Sequence, residues 1–307
     1  MTGQLTGGGL QITEPGLYAG IADDVYHADP VPAGSLSVSG AKVLAEVPAR
    51  YHYDLTHPAA PRREFDHGHA AHQLVLGVGQ QIVELAADNW RSPKVRAVAD
   101  EQRAAGRIPL LAPDAAMVRA MRDQLRQHPR AVELLSGDGQ AEISAFREID
   151  PGVWLRARFD WLAPGRVVDY KTAVSADPAV FVRRAVEYGY HMQAAWYLDM
   201  AEALGCDVRD GFRFVVQEKR PPYLVSVVRL DDDTVDLGRA WNAFAIALWR
   251  DCRASGEWPG YPAGDVTVTA PPWTPRPPVT DVEPAPIPDD FLAELEALAN
   301  PTREDTR

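Results

Sequence analysis

The stretch VWLRARFDWL-APG-RVVDYKT, residues 153–172, decides the fold. Both of its halves alternate in polarity and carry β-branched and aromatic residues, the pattern of half-buried strands. Pro151-Gly152 and Pro164-Gly165 punctuate it as turns. The run AEISAFREI, 141–149, alternates in the same way just before, so the spacing predicts a three-stranded meander. Side chains two apart share a face of a strand. Trp154, Arg156, Arg158, Asp160 and Leu162 are expected on one face, and Val153, Leu155, Ala157, Phe159 and Trp161 on the other. In the next strand Val167, Asp169 and Lys171 share a face, with Val168 and Tyr170 opposite. Asp160, Asp169 and Lys171 are thus expected on a common side. Two carboxylates that converge there repel unless a cation lies between them. A hard divalent ion, Mg²⁺, suits a site of few carboxylates completed by water and phosphate. Lys171 would then orient or deprotonate a water, or stabilise charge developing on a phosphate. Spacing alone also fits a surface Asp–Lys pair beside an unrelated Asp.

Outward from this core, helical periodicity predicts a short helix within 35–57, capped by Ser37 or Ser39, and another over 65–78 that ends near Gly77. Residues 90–106 read as a loop followed by a helix. Pro113-Asp114 opens a further helix, with Val118, Met121 and Leu125 on its apolar face. Arg119, Arg122, Arg126 and Arg130 recur on it at helical spacing, as a solvated surface or as a stripe facing phosphates. After the meander come helices near 177–187 and 190–204, strands at 211–218 and 223–230, and a helix from about 232 to 254. This order predicts an α/β fold with a mixed central sheet flanked by helices. Residues 1–15 are expected to be flexible, 16–258 to form the catalytic domain, and 259–288 to be a proline-rich linker. The tail ends in a short acidic amphipathic helix over 289–299.

Composition narrows the classes. Apolar residues make up 46% of 307, enough for a core, and no run of about 18 apolar residues suggests a membrane span. The N-terminus lacks the basic-then-apolar pattern of a leader, so a cytoplasmic location is expected. Cys206 and Cys252 read as reduced thiols, and two cysteines cannot build a four-thiolate iron–sulfur cluster. The net charge of −12 sits awkwardly with nucleic-acid binding, although net charge speaks to long-range steering and not to the lining of one groove.

Further residues join the Asp–Lys pattern. Glu142 lies on the strand before Asp160 and could complete a carboxylate cluster; an exposed strand residue is the plainer alternative. His72 follows Gly68 on the helix 65–78. Gln193 and Tyr197, four apart, share a helix face. Gly68-x3-His72, Glu142, Arg158-x-Asp160, Asp169-Tyr170-Lys171-Thr172 and Gln193-x3-Tyr197, in this order, resemble the RecB-like nuclease branch of the PD-(D/E)xK superfamily. More closely, the chain resembles the phage-type RecE exonucleases (exodeoxyribonuclease VIII), in a match that runs from about 16 to 258 and includes Gly16-Leu17-Tyr18, Tyr26-His27 and Ser37-x-Ser39. That resemblance implies His72, Asp160, Asp169 and the backbone carbonyl of Tyr170 as metal ligands for Mg²⁺, with Mn²⁺ a substitute. Glu142 is a further catalytic carboxylate and Lys171 positions the water. Gln193 and Tyr197 contact DNA or brace the site, and Arg158, Arg122 and Arg126 are expected to bind DNA. It also implies digestion of double-stranded DNA ends from the 5′ side in a bacterial host. A homo-oligomeric ring lined by the arginines and a RecT-like single-strand annealing partner go with it. Two alternatives remain: a CRISPR-associated nuclease without its iron–sulfur cluster, and a catalytically silent DNA-binding scaffold on the same fold.

Overall fold

The chain enters its fold earlier than the sequence suggests. An antiparallel ribbon of β1 (Gln4–Thr6) and β2 (Gly9–Gln11) precedes β3 (Gly16–Tyr18) and α1 (Asp23–His27). Ile12 is fully buried among Tyr18, Tyr26, Val31, Phe146 and Trp154, and its amide donates to the Pro30 carbonyl. Within the stretch expected to be flexible, Ile12 is thus a seated apolar side chain. This computed structural model describes residues 4–6, 9–57 and 63–275.

The segment 35–57 holds three elements rather than one helix: β4 (Ser35–Ser37), α2 (Val38–Glu46) and α3 (Pro48–Thr56). The Ser37 hydroxyl accepts from the Gly40 amide at 3.1 Å and caps α2, and Pro48 opens α3 at its first position. The helix α4 (Arg63–Leu76) ends at Gly77, where φ of 76° requires glycine's freedom. Two short parallel strands, β5 (Ile82–Leu85) and β6 (Ile108–Leu111), flank α5 (Pro93–Ala104). At four residues each, IVEL and IPLL, they are too short to show an alternation by which to read them. The arginine stripe is also corrected. Leu125 ends α6 (Ala112–Leu125), and His128 caps a new helix, α7 (Pro129–Leu134), at Pro129. Arg126 lies at the break and Arg130 on the second helix. Arg119 pairs with Glu84, Arg122 with Asp123 and Arg130 with Glu133.

The meander forms as expected from β7 (Gln140–Asp150), β8 (Val153–Ala163) and β9 (Arg166–Ala173). It is followed by α8 (Pro178–Glu187), α9 (Tyr190–Ala203), β10 (Gly211–Glu218), β11 (Val225–Val228) and α10 (Asp232–Ser255). The central sheet runs β11-β10-β9-β8-β7-β3. The α8–α9 crossover makes β10 parallel to β9, and the other neighbours in that order are antiparallel, so the sheet is mixed. One face packs against α2, α8, α9 and α10 through Leu44, Phe181, Met200 and Trp249. The other packs against α4, α6 and α7 through Ala70, Met121 and Leu134. The chain is therefore an α/β fold with a mixed central sheet flanked by helices.

One compact unit spans Met1–Tyr261 and a second Pro262–Arg307. Residues 262–275 carry no helix or strand. Most of the proline-rich stretch and the acidic helix expected at 289–299 lie outside the described residues. Among the described residues, no helix is long and apolar enough to cross a membrane.

Candidate metal-binding site

The edge of β8 is shared by two strands that do not meet. Near its start, Trp154–Arg156 pair with β4; near its end, Trp161–Ala163 pair with β9. Between them lies a gap, and Asp160 stands in it. The alternation of β8 breaks there. Leu155, Ala157 and Phe159 join the cluster under α9, whereas Trp161 packs into the cluster under α4. Regular alternation would have kept all four on one face. Asp160 therefore belongs to neither face, which corrects the placement expected from its neighbours. Across from it, Glu142 adopts φ of 54°, a left-handed conformation costly for a residue with a side chain. Ala141 pairs with Trp161 and Ile143 with Phe159, but Glu142 and Asp160 do not pair.

In the gap, one carboxylate oxygen of Asp160 accepts the Tyr170 amide at 2.8 Å. A residue's N–H and C=O leave a strand on the same side, so the Tyr170 carbonyl faces the gap too. The Tyr170 ring points to the α4 side, where its hydroxyl donates to Gln217 Oε1 at 2.7 Å. Gln217, fully buried, donates in turn to the Met121 and Tyr223 carbonyls. His72 comes from α4 on that same side, 3.5 Å from Asp160 through Nδ1, its ring edge-on to Tyr170. His69, one turn earlier, is exposed.

Asp169 and Lys171 sit on the α9 side. Asp169 is buried; its Oδ1 accepts from Gln193 Nε2 at 2.6 Å and its Oδ2 lies 2.7 Å from Lys171 Nζ. Burial would lower the Lys171 pKa, but the charges of Asp169 and Asp160 outweigh it and hold the ammonium charged. Gln193 and Tyr197 are both buried, Gln193 against Asp169 and Tyr197 edge-on to Phe159. Arg158 donates to Ser144, Asp23 and the Ile21 carbonyl and lies 4.2 Å from the Tyr26 ring centre. Its contacts hold α1 against the sheet.

One ligand atom each from His72, Glu142 and Asp160 falls within a 4.8 Å set. Burial, and then the charge of Asp160, push Glu142 up to about 7. Burial, and then Asp169, raise Asp160 as well. These shifts record carboxylates crowded out of water with too little positive charge between them. An oxygen-rich set with one imidazole fits a small hard divalent ion.

Two groups at the site escaped the sequence reading. Gln217 is a polar residue that directly follows the apolar run Phe214-Val215-Val216, and that misfit was the available signal. Lys42 of α2 reaches the Asp169–Lys171 side; only its position five residues after the Ser37 cap set it apart.

A family described as a PDDEXK-like domain of unknown function, DUF3799, matches residues 37–269. The crystal structure of a candidate exonuclease from Eubacterium rectale is similar, with a TM-score of 0.57 and 14% identity over 83% of this chain and 96% of that one. That similarity is one of fold. The crystal structure of SSO0001 matches at 16% identity over 64% of this chain and 88% of that one, with a TM-score of 0.25. No curated protein matches.

Proposed function

Because the chain belongs to the PDDEXK-like DUF3799 family, we propose that it is a metal-dependent exonuclease that hydrolyses phosphodiester bonds at the ends of duplex DNA. The observation that carries this reading is the meeting of Asp160, Asp169 and Lys171 with His72 and Glu142 where β9 parts from β8. His72, Asp160, Asp169 and the Tyr170 carbonyl are the residues to hold Mg²⁺ or Mn²⁺, with Glu142 beside them. A bound ion of this kind supplies Lewis-acid polarisation of the phosphate. Lys171 orients the attacking water; its ion pair with Asp169 and the Gln193 hydrogen bond to Asp169 keep the ammonium in place. Water oxygen joins phosphorus, the bond to O3′ breaks, and that oxygen takes up a proton.

The resemblance to the RecE exonucleases supports the finer parts of this proposal: 5′-to-3′ polarity, 3′ single-stranded tails, a ring of identical subunits and a single-strand annealing partner. Arg122 and Arg126 are proposed as DNA contacts, which for Arg122 requires trading Asp123 for a phosphate.

The test is digestion of a duplex labelled at either the 5′ or the 3′ end, with Mg²⁺, with Mn²⁺ and with EDTA. Release of the 5′ label first, dependent on the metal and lost in Asp169→Asn with the fold intact, is expected. Full cleavage by Asp169→Asn overturns the site assignment, and no cleavage by the native protein with either metal overturns the nuclease reading.

A further inference from the structure

The candidate site contains a second lysine that its accepted carboxylates do not neutralise. Lys42 lies on the α9 side of the sheet, and its Nζ is 5.4 Å from the Tyr190 ring centre. Lys171 Nζ approaches the same ring to 5.1 Å. The Lys42 stem runs along the backbone of Gly189, whose left-handed turn starts α9: a Cβ there would meet Lys42 Cε at 3.0 Å, Cδ at 3.1 Å and Cγ at 3.2 Å. Glycine thus leaves the channel through which the lysine reaches the site.

Among the described residues no carboxylate lies within ion-pair distance of Lys42. Asp169 is the nearby counter-charge, and Lys171 already pairs with it at 2.7 Å. Burial, and then the charge of Lys171, push the Lys42 ammonium down to about 7. A half-buried cation without a partner costs stability, and an apolar side chain of equal length would fill the same channel at no such cost. What would repay two ammonium groups gathered about the Tyr190 ring is an anion bound beside them.

We propose that Lys42 is a catalytic residue that grips a non-bridging oxygen of the scissile phosphate, with Tyr190 as the spacer that sets it apart from Lys171. This rests on the nuclease reading above. In it the two lysines divide the work: Lys171 faces the water, and Lys42 faces the phosphate and stabilises its growing charge in the transition state.

Lys42→Met keeps the length and apolar stem and removes the charge. Cleavage of duplex DNA in Mn²⁺ should fall on the order of 10²-fold in kcat with a smaller change in KM, the size seen when one donor to a developing oxyanion is lost. Lys42→Arg should recover part of the rate. The melting temperature of Lys42→Met should stay level or rise, because an unpaired, half-buried charge is gone. A methylphosphonate of the sensitive stereochemistry at the scissile linkage should cost Lys42→Met much less than it costs the native protein, since both changes remove one contact. Equal cost in both proteins, a rate within threefold of native, or a lowered melting temperature accompanying the lost rate overturns the proposal. Duplex affinity in Ca²⁺, read by fluorescence anisotropy, gives an arm that needs no turnover. A native protein that never cleaves, yet binds duplex more tightly than Lys42→Met does, sinks the nuclease reading and keeps the phosphate contact. Equal affinity of the two sinks the contact itself.

Discussion

At the scale of single residues, the two histidines of α4 separate position from composition. His72 lies against Asp160 and Tyr170, whereas His69 is exposed one turn away. His72→Ala should remove most of the cleavage in Mg²⁺, and His69→Ala should leave it within a few fold; equal effects in a nucleotide-release assay would take α4 out of the metal site. Glu142 gives a second test, through pH. Its folded pKa, pushed up to about 7 by burial and by Asp160, lies above the ordinary glutamate value of 4.5. The folded protein therefore holds this proton more tightly than the unfolded chain. The resulting stability is full below about pH 4.5 and is lost as pH rises through 7. Above that the metal-free fold carries an anion that divalent ions relieve, while below it protons compete with them. The melting-temperature gain from Mn²⁺ should be larger at pH 8 than at pH 5.5. Glu142→Gln should raise the metal-free melting temperature at pH 8, do little at pH 5.5, and shrink the gain from Mn²⁺. A metal response that does not change with pH would remove Glu142 from the cluster.

At the scale of elements, what the sequence reveals depends on how local the cause is. The three strands of the meander were legible because alternation and the Pro-Gly turns are properties of adjacent residues, and helices α8, α9 and α10 followed from their own periodicity. The gap on the β8 edge was not legible. Asp160 leaves the plane of its neighbours because β4 and β9 occupy different parts of one β8 edge, and that arrangement joins segments more than 100 residues apart. The Lys42 approach depends in the same way on α2 meeting the first turn of α9. The brace behind α9 is equally non-local. Gly238 of α10 is pressed so closely on the His191 carbonyl that a Cβ would lie 2.1 Å from that oxygen. Asn242, one turn on, donates to the Met192 carbonyl at 2.9 Å. These contacts seat the helix that presents Gln193 to Asp169. Gly238→Ala should therefore push α9 out of place and destabilise the protein by about 1–3 kcal/mol, the usual range for overpacking. Cleavage measured well below the melting temperature should fall with it. Native stability in urea would mean that the two helices part without consequence, and that α9 is not held from behind.

At the scale of the whole molecule, the end of the first compact unit is fixed by packing on α3. Trp258 stacks on His52 with ring centres 4.9 Å apart, the Pro259 carbonyl accepts from Ala49, and the Tyr261 hydroxyl accepts from Arg50 at 3.3 Å. These contacts place the limit at Tyr261, and truncation at Gly260 would remove the last of them. Beyond the limit the sequence changes in kind. Residues 259–288 are dense in proline, which removes amide donors and favours extended chain, and 289–299 offer only one narrow apolar stripe. A segment of this composition buries too little surface to add much stability to a catalytic core. Tethered to one, it is suited to docking on a neighbouring subunit or on a partner, where linkage raises the effective concentration of a weak contact. A chain ending at Tyr261 should fold with a melting temperature close to that of the full chain. It should also cleave short duplexes at a near-native rate, because His72, Glu142, Asp160, Asp169 and Lys171 all precede the cut. What it should lose is assembly, seen as a smaller mass in light scattering, or retention of a single-strand annealing protein in a pull-down. Lost hydrolysis of short duplexes with the oligomer unchanged would place the tail at the active site instead.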